Sequence, residues 1–174
     1  MQMNDSIEIA APRSVVWEAL LSPDVLKDCV PGCQEMSGSA EEGLEATVVQ
    51  KVGPVKATFK GGVTISDVVE GESLTLTGEG KGGAAGFAKG GARVTLADSG
   101  EGTLLSYEVD AKVGGKLAQL GSRIIDGFAK KMAAQFFTRF QEVVQGPADG
   151  DAETAEETGA EPAKKGWIKR MISN

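Results

Sequence analysis

The sequence contains no histidine and only two cysteines, Cys29 and Cys33, in 174 residues. Without histidine, the chain cannot form Ser-His-Asp or Cys-His catalytic sites, and it cannot hold a metal through imidazole ligands. Two cysteines alone cannot complete a tetrahedral zinc site, so no metal site is expected. We interpret the pair as small packing residues around a turn at Pro31-Gly32, with a redox-active pair as the alternative.

Long apolar runs and a positive net charge are absent as well. No apolar stretch approaches the ~18 residues of a transmembrane helix, and the N-terminus lacks the basic start and apolar core of a signal peptide. The formal net charge of −7 argues against a general nucleic-acid-binding surface. We therefore expect a soluble cytoplasmic protein that does not bind nucleic acid.

The last long apolar pattern covers residues 116–144 and predicts one amphipathic helix about 45 Å long. It contains four of the six phenylalanines, so the core is expected to form against it. Gly121 and Gly127 lie within the pattern and indicate close packing or space beside the helix, because glycine destabilises a helix by up to about 1 kcal/mol. The predicted apolar face consists of Leu117, Leu120, Ile124, Phe128, Met132, Phe136, Phe140 and Val143.

Before this helix, the chain predicts an antiparallel sheet. Residues 6–10 form a first strand, and two short helices follow over residues 13–21 and 22–28. Apolar and polar residues then alternate in short segments separated by turn residues, which is typical of consecutive antiparallel strands. We predict an α+β fold in which a curved sheet of six or seven strands wraps around the long helix, with a hollow between the glycine-rich sheet and the helix. The remaining strands are predicted at residues 33–39, 44–52, 55–65, 73–80, 90–97 and 103–113.

A glycine-rich run at residues 78–91 contains a formal G-x-G-x-x-G pattern. A dinucleotide site requires this pattern between a strand and a helix, whereas strands are predicted on both sides here. The run is not a phosphate-binding P-loop either, because Lys81 is followed by Gly82 and not by serine or threonine. We interpret it as a wide, flexible hairpin with Phe87 near its tip.

The composition changes abruptly after residue 145. Residues 1–145 carry a net charge of −5 and are predicted to form the folded domain, and residues 146–163 hold six acidic and no basic residues and predict a disordered linker. Residues 164–174 carry a net charge of +4, and on a helical wheel their apolar residues cluster beside the bases. This pattern indicates a membrane-surface anchor or a peptide that docks on a partner. The predicted anchoring residues are Lys164, Lys165, Trp167, Ile168, Lys169, Arg170, Met171 and Ile172.

Four motifs carry a family resemblance: CVPGC, KVGPVKATFKG, GEGKGGAAGFAKGGARVTL and VGGKLAQLGSRIIDGFAKKMAAQFFTRF. Through them, residues 3–144 resemble the G-subunit family of carbon monoxide dehydrogenase, within the START-like (Bet v 1-like, SRPBCC) superfamily. The resemblance implies a START-like helix-grip fold with an apolar cavity between the sheet and the C-terminal helix. It also implies association with the aerobic, molybdenum-containing carbon monoxide dehydrogenase and recruitment of that enzyme to the cytoplasmic membrane.

Together with the predicted anchor, the resemblance leads to a first hypothesis, a tethered carrier. A START-like ligand-binding domain at residues 1–145 would take a respiratory quinone (menaquinone or ubiquinone) out of the bilayer and present it to the dehydrogenase as electron acceptor. The quinone would bind non-covalently, no covalent cofactor is expected, and no residue set supports catalysis by the chain itself. The predicted ligand-binding residues are Phe59, Val63, Tyr107, Val109, Leu120, Ile124, Phe128, Met132 and Phe136.

Two further hypotheses stay open, because the apolar helix face also fits a filled core in which Tyr107 has a satisfied hydroxyl. One is a recruitment adaptor or assembly factor without ligand, which docks the dehydrogenase through the glycine-rich hairpin at Lys81, Phe87 and Lys89. The other is an enzyme in which Tyr107 acts with a buried acid, but the inward strand positions show none. We expect a monomer on the inner face of the cell membrane, with the dehydrogenase, the anionic membrane surface and the quinone as partners.

Overall fold

The computed structural model describes residues 1–145, in which seven strands form one antiparallel sheet. The strands are β1 (Gln2–Ile9), β2 (Cys33–Ser39), β3 (Gly43–Val52), β4 (Val55–Val69), β5 (Ser73–Lys81), β6 (Phe87–Ser99) and β7 (Gly102–Gly114). The helices are α1 (Arg13–Leu20), α2 (Pro23–Cys29), α3 (Lys116–Gln119) and α4 (Ser122–Gln145). The sheet order is β1-β7-β6-β5-β4-β3-β2, so β2 to β7 form a meander and β1 pairs with the last strand. The predicted α+β class and antiparallel meander are confirmed.

Two short helices connect β1 to β2, as predicted. The Ser22 hydroxyl oxygen accepts a hydrogen bond from the Val25 amide at 3.4 Å, which caps α2. Pro12 precedes α1 as its N-cap residue and is not its first helical residue. The inner side of α1 places Val16 and Trp17 in the core, so this connection closes one end of the fold.

The hairpin between β5 and β6 is more regular than predicted. The ladder of paired residues continues through the glycine-rich run to the pair Lys81 and Phe87, and only residues 82–86 form the turn. The Gly82 amide donates to the Gly86 carbonyl at 2.8 Å, and a 3-10 turn lies between them. The predicted hairpin with Phe87 near its tip is confirmed, but it is not wide, because the strands pair almost to the tip of the run.

The C-terminal helix is not continuous over residues 116–144 as predicted. Gly121 adopts a φ of 91°, in the left-handed region that favours glycine, and it separates α3 from α4. The break shifts the buried face: Ile125 is 8% exposed, whereas the predicted core residue Ile124 is 40% exposed. At the other end Val143 is also exposed, and the half-buried Val144 packs against the core in its place.

The core consists of two separate apolar clusters, one toward each end of α4. In the larger cluster, residues of α1, β1, β6 and β7 pack against the C-terminal half of α4, where Phe140 is fully buried. The smaller cluster joins the N-terminal half of α4 to the neighbouring strand ends through Val52, Leu117 and Ile125. The helix is therefore fixed to the rest of the fold near both of its ends.

The predicted linker at residues 146–163 and the predicted anchoring segment at residues 164–174 lie outside the described residues. Within residues 1–145, no helix has the length and the hydropathy that crossing a bilayer requires.

Two glycine substitutions test the helix break, and we expect them to act in opposite directions. Gly121→Ala should lower the free energy of unfolding by about 1 kcal/mol or more, because a Cβ is strained at a left-handed φ. Gly127→Ala should raise it by up to about 1 kcal/mol, because Gly127 lies inside α4 with open space around its missing side chain. Urea denaturation measures both changes. A stabilising effect of Gly121→Ala would contradict the break and support one continuous helix.

Candidate functional site

The middle of the sheet carries small residues on the face turned toward α4. Strand pairing places Gly61 beside Gly80, and Gly80 beside Ala88, in one row across three strands. The neighbouring row pairs Val63 with Gly78 and continues through Gly90 and Ala111. These rows lie between the two apolar clusters, so little side-chain volume fills the sheet side of that interval.

On the helix side of the same interval, large apolar side chains are only half-buried. Phe128, Met132 and Phe136 of α4 all retain partial exposure, and so do Val63 and Val109 on the facing strands. Side chains in a filled two-layer core would be close-packed and buried. Met132 and Val63 belong to neither cluster. We call this space between the two clusters the inner groove.

The structure places most of the predicted ligand-binding residues along the inner groove. Phe59, Leu120 and Phe128 border it at the smaller cluster, and Tyr107, Val109 and Phe136 border it at the larger cluster. Ile124 lies elsewhere, over the β3–β4 turn, where a Cβ at Gly53 would be 3.4 Å from its Cγ2.

The predicted apolar face of the helix did not include Ile125, whereas the glycine-rich inner face of the sheet was predicted. Ile125 was overlooked because the selected face repeats every four residues, which drifts around a helix of 3.6 residues per turn. The small residues follow from the alternation within each strand, which places Gly61, Gly78 and Gly90 at inward positions of three neighbouring strands.

Phe59 forms one end of the inner groove, beside the β5–β6 hairpin. A Cβ at Gly82 would lie only 2.5 Å from Cε1 of Phe59, so the ring rests directly on the glycine backbone. Any side chain at Gly82 would push the ring aside, which explains why the hairpin needs glycine there.

Tyr107 provides a polar group beside the inner groove. Its ring is 8% exposed and stacks on Phe137 with a centroid distance of 5.1 Å and an interplanar angle of 20°. Within residues 1–145 its hydroxyl makes no hydrogen bond. Buried tyrosine hydroxyls usually find a partner, so this one is available to a bound molecule.

Burial, and secondarily the charge of Asp5, raise the pKa of Tyr107, which keeps the phenol protonated and able to donate. Asp5 lies directly opposite Tyr107 in the β1–β7 register and on the same face. The prediction that the inward strand positions hold no acid is therefore wrong, because β1 begins at Gln2 and not at Ser6. Asp5 is exposed at the sheet edge, so it does not form a buried acid with Tyr107.

The two cysteines are free thiols. Cys29 is fully buried in the larger cluster, as a packing residue should be, and burial followed by the charge of Asp28 raises the pKa of its thiol to about 12. The half-buried Cys33 donates from its sulfur to the Glu35 carbonyl at 3.3 Å, and its pKa is raised by burial. Both thiols therefore stay protonated near neutral pH, which leaves little thiolate for redox chemistry.

Within residues 1–145, the glycine-rich run does not form a dinucleotide site, and no metal site is found. The G-x-G-x-x-G pattern lies in an antiparallel hairpin and not in a βαβ unit, so a dinucleotide site is ruled out there. Within residues 1–145, no three cysteine, aspartate or glutamate side chains come together as metal ligands.

The predicted partner-binding residues lie together at the β5–β6 hairpin. Lys81 pairs with Phe87, and Lys89 follows two residues along β6. Phe87 is 37% exposed, and its ring leans on Gly114, where a Cβ would be 2.3 Å from its Cε2. The predicted anchoring residues lie outside the described residues.

Comparison with known proteins identifies relatives of this fold. A family model for CoxG, the G-subunit of carbon monoxide dehydrogenase, matches residues 6–145. A conserved protein from Geobacillus kaustophilus is 29% identical, with a TM-score of 0.78 over 83% of this chain and 95% of that chain. No curated protein sequence matches the chain.

Two more distant solved structures show the shared fold alone. A protein from Chromobacterium violaceum is 18% identical, with a TM-score of 0.63 over 84% of this chain and 98% of that chain. A START superfamily protein from Mycobacterium smegmatis is 14% identical, with a TM-score of 0.64 over 83% of this chain and 97% of that chain. The expected START-like fold is thereby confirmed.

Titration of Tyr107 tests its environment, because it is the only tyrosine in the chain. We expect the pKa of the native phenol to lie above its ordinary value of 10 and to return to that value on unfolding. The folded state then retains a proton that the unfolded state loses, so the free energy of unfolding should fall as pH rises above about 10. Phenolate absorbance measures the titration, with Tyr107→Phe as the blank. A native pKa at or below the ordinary value would contradict this.

Proposed function

Because the chain belongs to the CoxG family, the G-subunit family of carbon monoxide dehydrogenase, we propose that it is a non-catalytic accessory protein of the aerobic enzyme. It binds a respiratory quinone, menaquinone or ubiquinone, in the inner groove and offers it to the enzyme as electron acceptor. It also recruits the enzyme to the inner face of the cytoplasmic membrane. The observation that carries the ligand-binding part is the set of half-buried apolar side chains that line the inner groove between the two apolar clusters.

The lining of the inner groove suits a long apolar molecule. The stretch of β7 from Tyr107 to Val113 spans about 20 Å. Along that length the sheet offers the glycine and alanine rows, and α4 offers Phe128, Met132 and Phe136. Burying an isoprenoid chain there would remove exposed apolar surface from water at about 25 cal/mol per Å². The same apolar contact would cover the exposed parts of these half-buried side chains.

Tyr107 would hold the polar head of such a molecule. A quinone carbonyl accepts hydrogen bonds but cannot donate them, and the Tyr107 hydroxyl has no partner within residues 1–145. Phe136 and Phe137 lie beside it, with ring centroids 5.0 Å apart, and provide aromatic surface for a quinone ring.

The sequence after residue 145 supports recruitment to a membrane. Its acidic segment supplies reach, and its last eleven residues combine four bases with Trp167, Ile168, Met171 and Ile172. Basic residues near anionic lipid contribute about 1 kcal/mol each. A dehydrogenase held in this way would come within reach of an acceptor that resides in lipid.

Filling the inner groove should block quinone binding. Val63→Phe adds an aromatic ring between the two clusters, and we expect the affinity for a short-tailed menaquinone to fall about tenfold or more. Thr64→Phe is the matched control, because Thr64 is the next residue of β4 and is exposed on the opposite face. Quenching of tryptophan fluorescence on titration measures both affinities. Equal affinity in the two variants would place the ligand outside the inner groove.

The unmodified protein provides the decisive observation for the ligand. Organic-solvent extraction followed by mass spectrometry should release a quinone from the purified chain, and added menaquinone should raise its thermal midpoint. If extraction yields no lipid and menaquinone leaves the midpoint unchanged, the carrier proposal fails. The chain would then be a recruitment adaptor or assembly factor without ligand.

Removing residues 164–174 should abolish association with vesicles of phosphatidylglycerol and phosphatidylcholine, measured by co-sedimentation. The folded residues should be unaffected, so the thermal midpoint and menaquinone affinity should equal those of the full chain. Vesicles of phosphatidylcholine alone serve as the control for charge, and binding to them should be weak even for the full chain. Sedimentation of the shortened chain with anionic vesicles would rule out this segment as the anchor.

A further inference from the structure

The lysines of the folded residues are concentrated at one end of the sheet. Of the ten lysines in residues 1–145, seven lie near the β3–β4 turn, the β5–β6 hairpin and the end of β7. These are Lys51, Lys56, Lys60, Lys81, Lys89, Lys112 and Lys116. Residues 1–145 as a whole carry a net charge of −5. This end of the domain is therefore rich in positive charge, whereas the domain as a whole is negatively charged.

Four of these lysines surround a depression on the outer face of the sheet, the face turned away from α4. Its volume is about 940 Å³, and Lys60, Lys81, Lys89 and Lys112 line it together with Glu79 and Asp110. Gly62 and Gly91 occupy outward positions and supply no side chain, so bare backbone forms the floor. We call this feature the outer depression. Its six charged residues give it a net charge of +2.

Lysines of the outer depression lie opposite one another in neighbouring strands, so their charges repel. Lys60 lies directly opposite Lys81, and Lys89 lies directly opposite Lys112, in neighbouring strands. Only Lys89 has an acidic residue, Glu79, directly opposite it on its other side. Like charges directly opposite each other destabilise a sheet. Within residues 1–145 the only charge pair within 4.0 Å joins Arg13 and Asp98, so none of the four lysines is neutralised by an ion pair. Such an arrangement is compensated when an acidic partner binds.

We infer that the outer depression is the docking surface for a protruding acidic segment of the dehydrogenase. The identity of the partner rests on the proposed recruitment function, whereas the location rests on the lysines alone. Complementary charge favours such a contact and accelerates encounter. A protein segment fits better than a bilayer does, because the surface is concave and, within residues 1–145, its lining contains no apolar side chain. The predicted contact residues Lys81 and Lys89 thus belong to a larger surface that also includes Lys60 and Lys112.

Two quadruple variants of the full chain test this surface. In the first, Lys60, Lys81, Lys89 and Lys112 are each replaced by Gln. In the second, the exposed Lys27, Lys130, Lys131 and Arg139, which lie on α2 and α4, are each replaced by Gln, so that the net charge of the two variants is equal. The probe is the purified aerobic carbon monoxide dehydrogenase, and surface plasmon resonance measures its association rate constant at several salt concentrations.

The first variant should associate about tenfold or more slowly than the full-length protein and show a weaker dependence on salt. The second should stay within about twofold. The thermal midpoint of the first variant should stay close to that of the full-length protein, because its substitutions remove two like-charge pairs and only one opposite-charge pair, Lys89 with Glu79. The menaquinone affinity of the first variant should also be unchanged.

Several outcomes would overturn the inference. If the two variants slow association equally, the effect depends only on net charge. If the first variant associates as fast as the full-length protein, the partner docks elsewhere. Neither result would contradict the recruitment function itself. Loss of binding to anionic vesicles, with normal binding to the dehydrogenase, would make this face a lipid contact. Loss of a concentration-dependent dimer in light scattering would make it a contact between copies of the chain. If the unmodified chain does not bind the dehydrogenase, the recruitment function fails together with this surface, while quinone binding is judged separately.

Discussion

Six glycines lie in the middle of three neighbouring strands, and the absence of side chains there shapes both faces of the sheet. They are Gly61, Gly62, Gly78, Gly80, Gly90 and Gly91. On the inner face, Gly61, Gly78 and Gly90 carry no side chain, and a Cβ at each would meet the backbone of a neighbouring strand. A Cβ at Gly61 would be 1.7 Å from the Glu79 carbonyl oxygen, so the strands approach there more closely than any other residue allows. On the outer face, Gly62 and Gly91 leave the floor of the outer depression. Both proposed contacts of this protein depend on that one band of backbone.

The two apolar clusters provide the packing that the small residues in the middle of the sheet do not provide. A helix packed against a hollow sheet would lose the dispersion contacts and apolar burial that normally stabilise two-layer folds. Here the larger cluster around Phe140 and the smaller cluster around Ile125 provide those contacts at either end of α4. The apolar contacts are thus concentrated at the two ends of the helix, and the proposed ligand would lie between them. The left-handed Gly121 contributes by turning α4 so that Ile125, and not Ile124, enters the smaller cluster.

The alternation of apolar and polar residues was enough to predict the sheet, because side chains of successive residues point to opposite faces. It was also enough to assign most of the groove residues to the inner face. It could not predict which distant strands pair, and so it missed that β1 places Asp5 opposite Tyr107. Periodicity also passed over Gly121, since one left-handed residue ends a helix without changing the apolar count. The outer depression was invisible for a related reason: its lysines come from four strands, and only the register brings them together.

The pairing of β1 with β7 has a consequence for how the chain acquires its structure. Met3 pairs with Val109, and the hydroxyls of Ser6 and Ser106 lie 3.0 Å apart, although each pair is separated by about a hundred residues. Contacts of such long range slow folding, because a large loop must close before they form. The other strands pair with sequence neighbours and can assemble as each hairpin is completed. On a translating ribosome, the first strand of this sheet to be synthesised is therefore the last to pair. Until β7 emerges, β1 is an unpaired edge that other nascent chains can join.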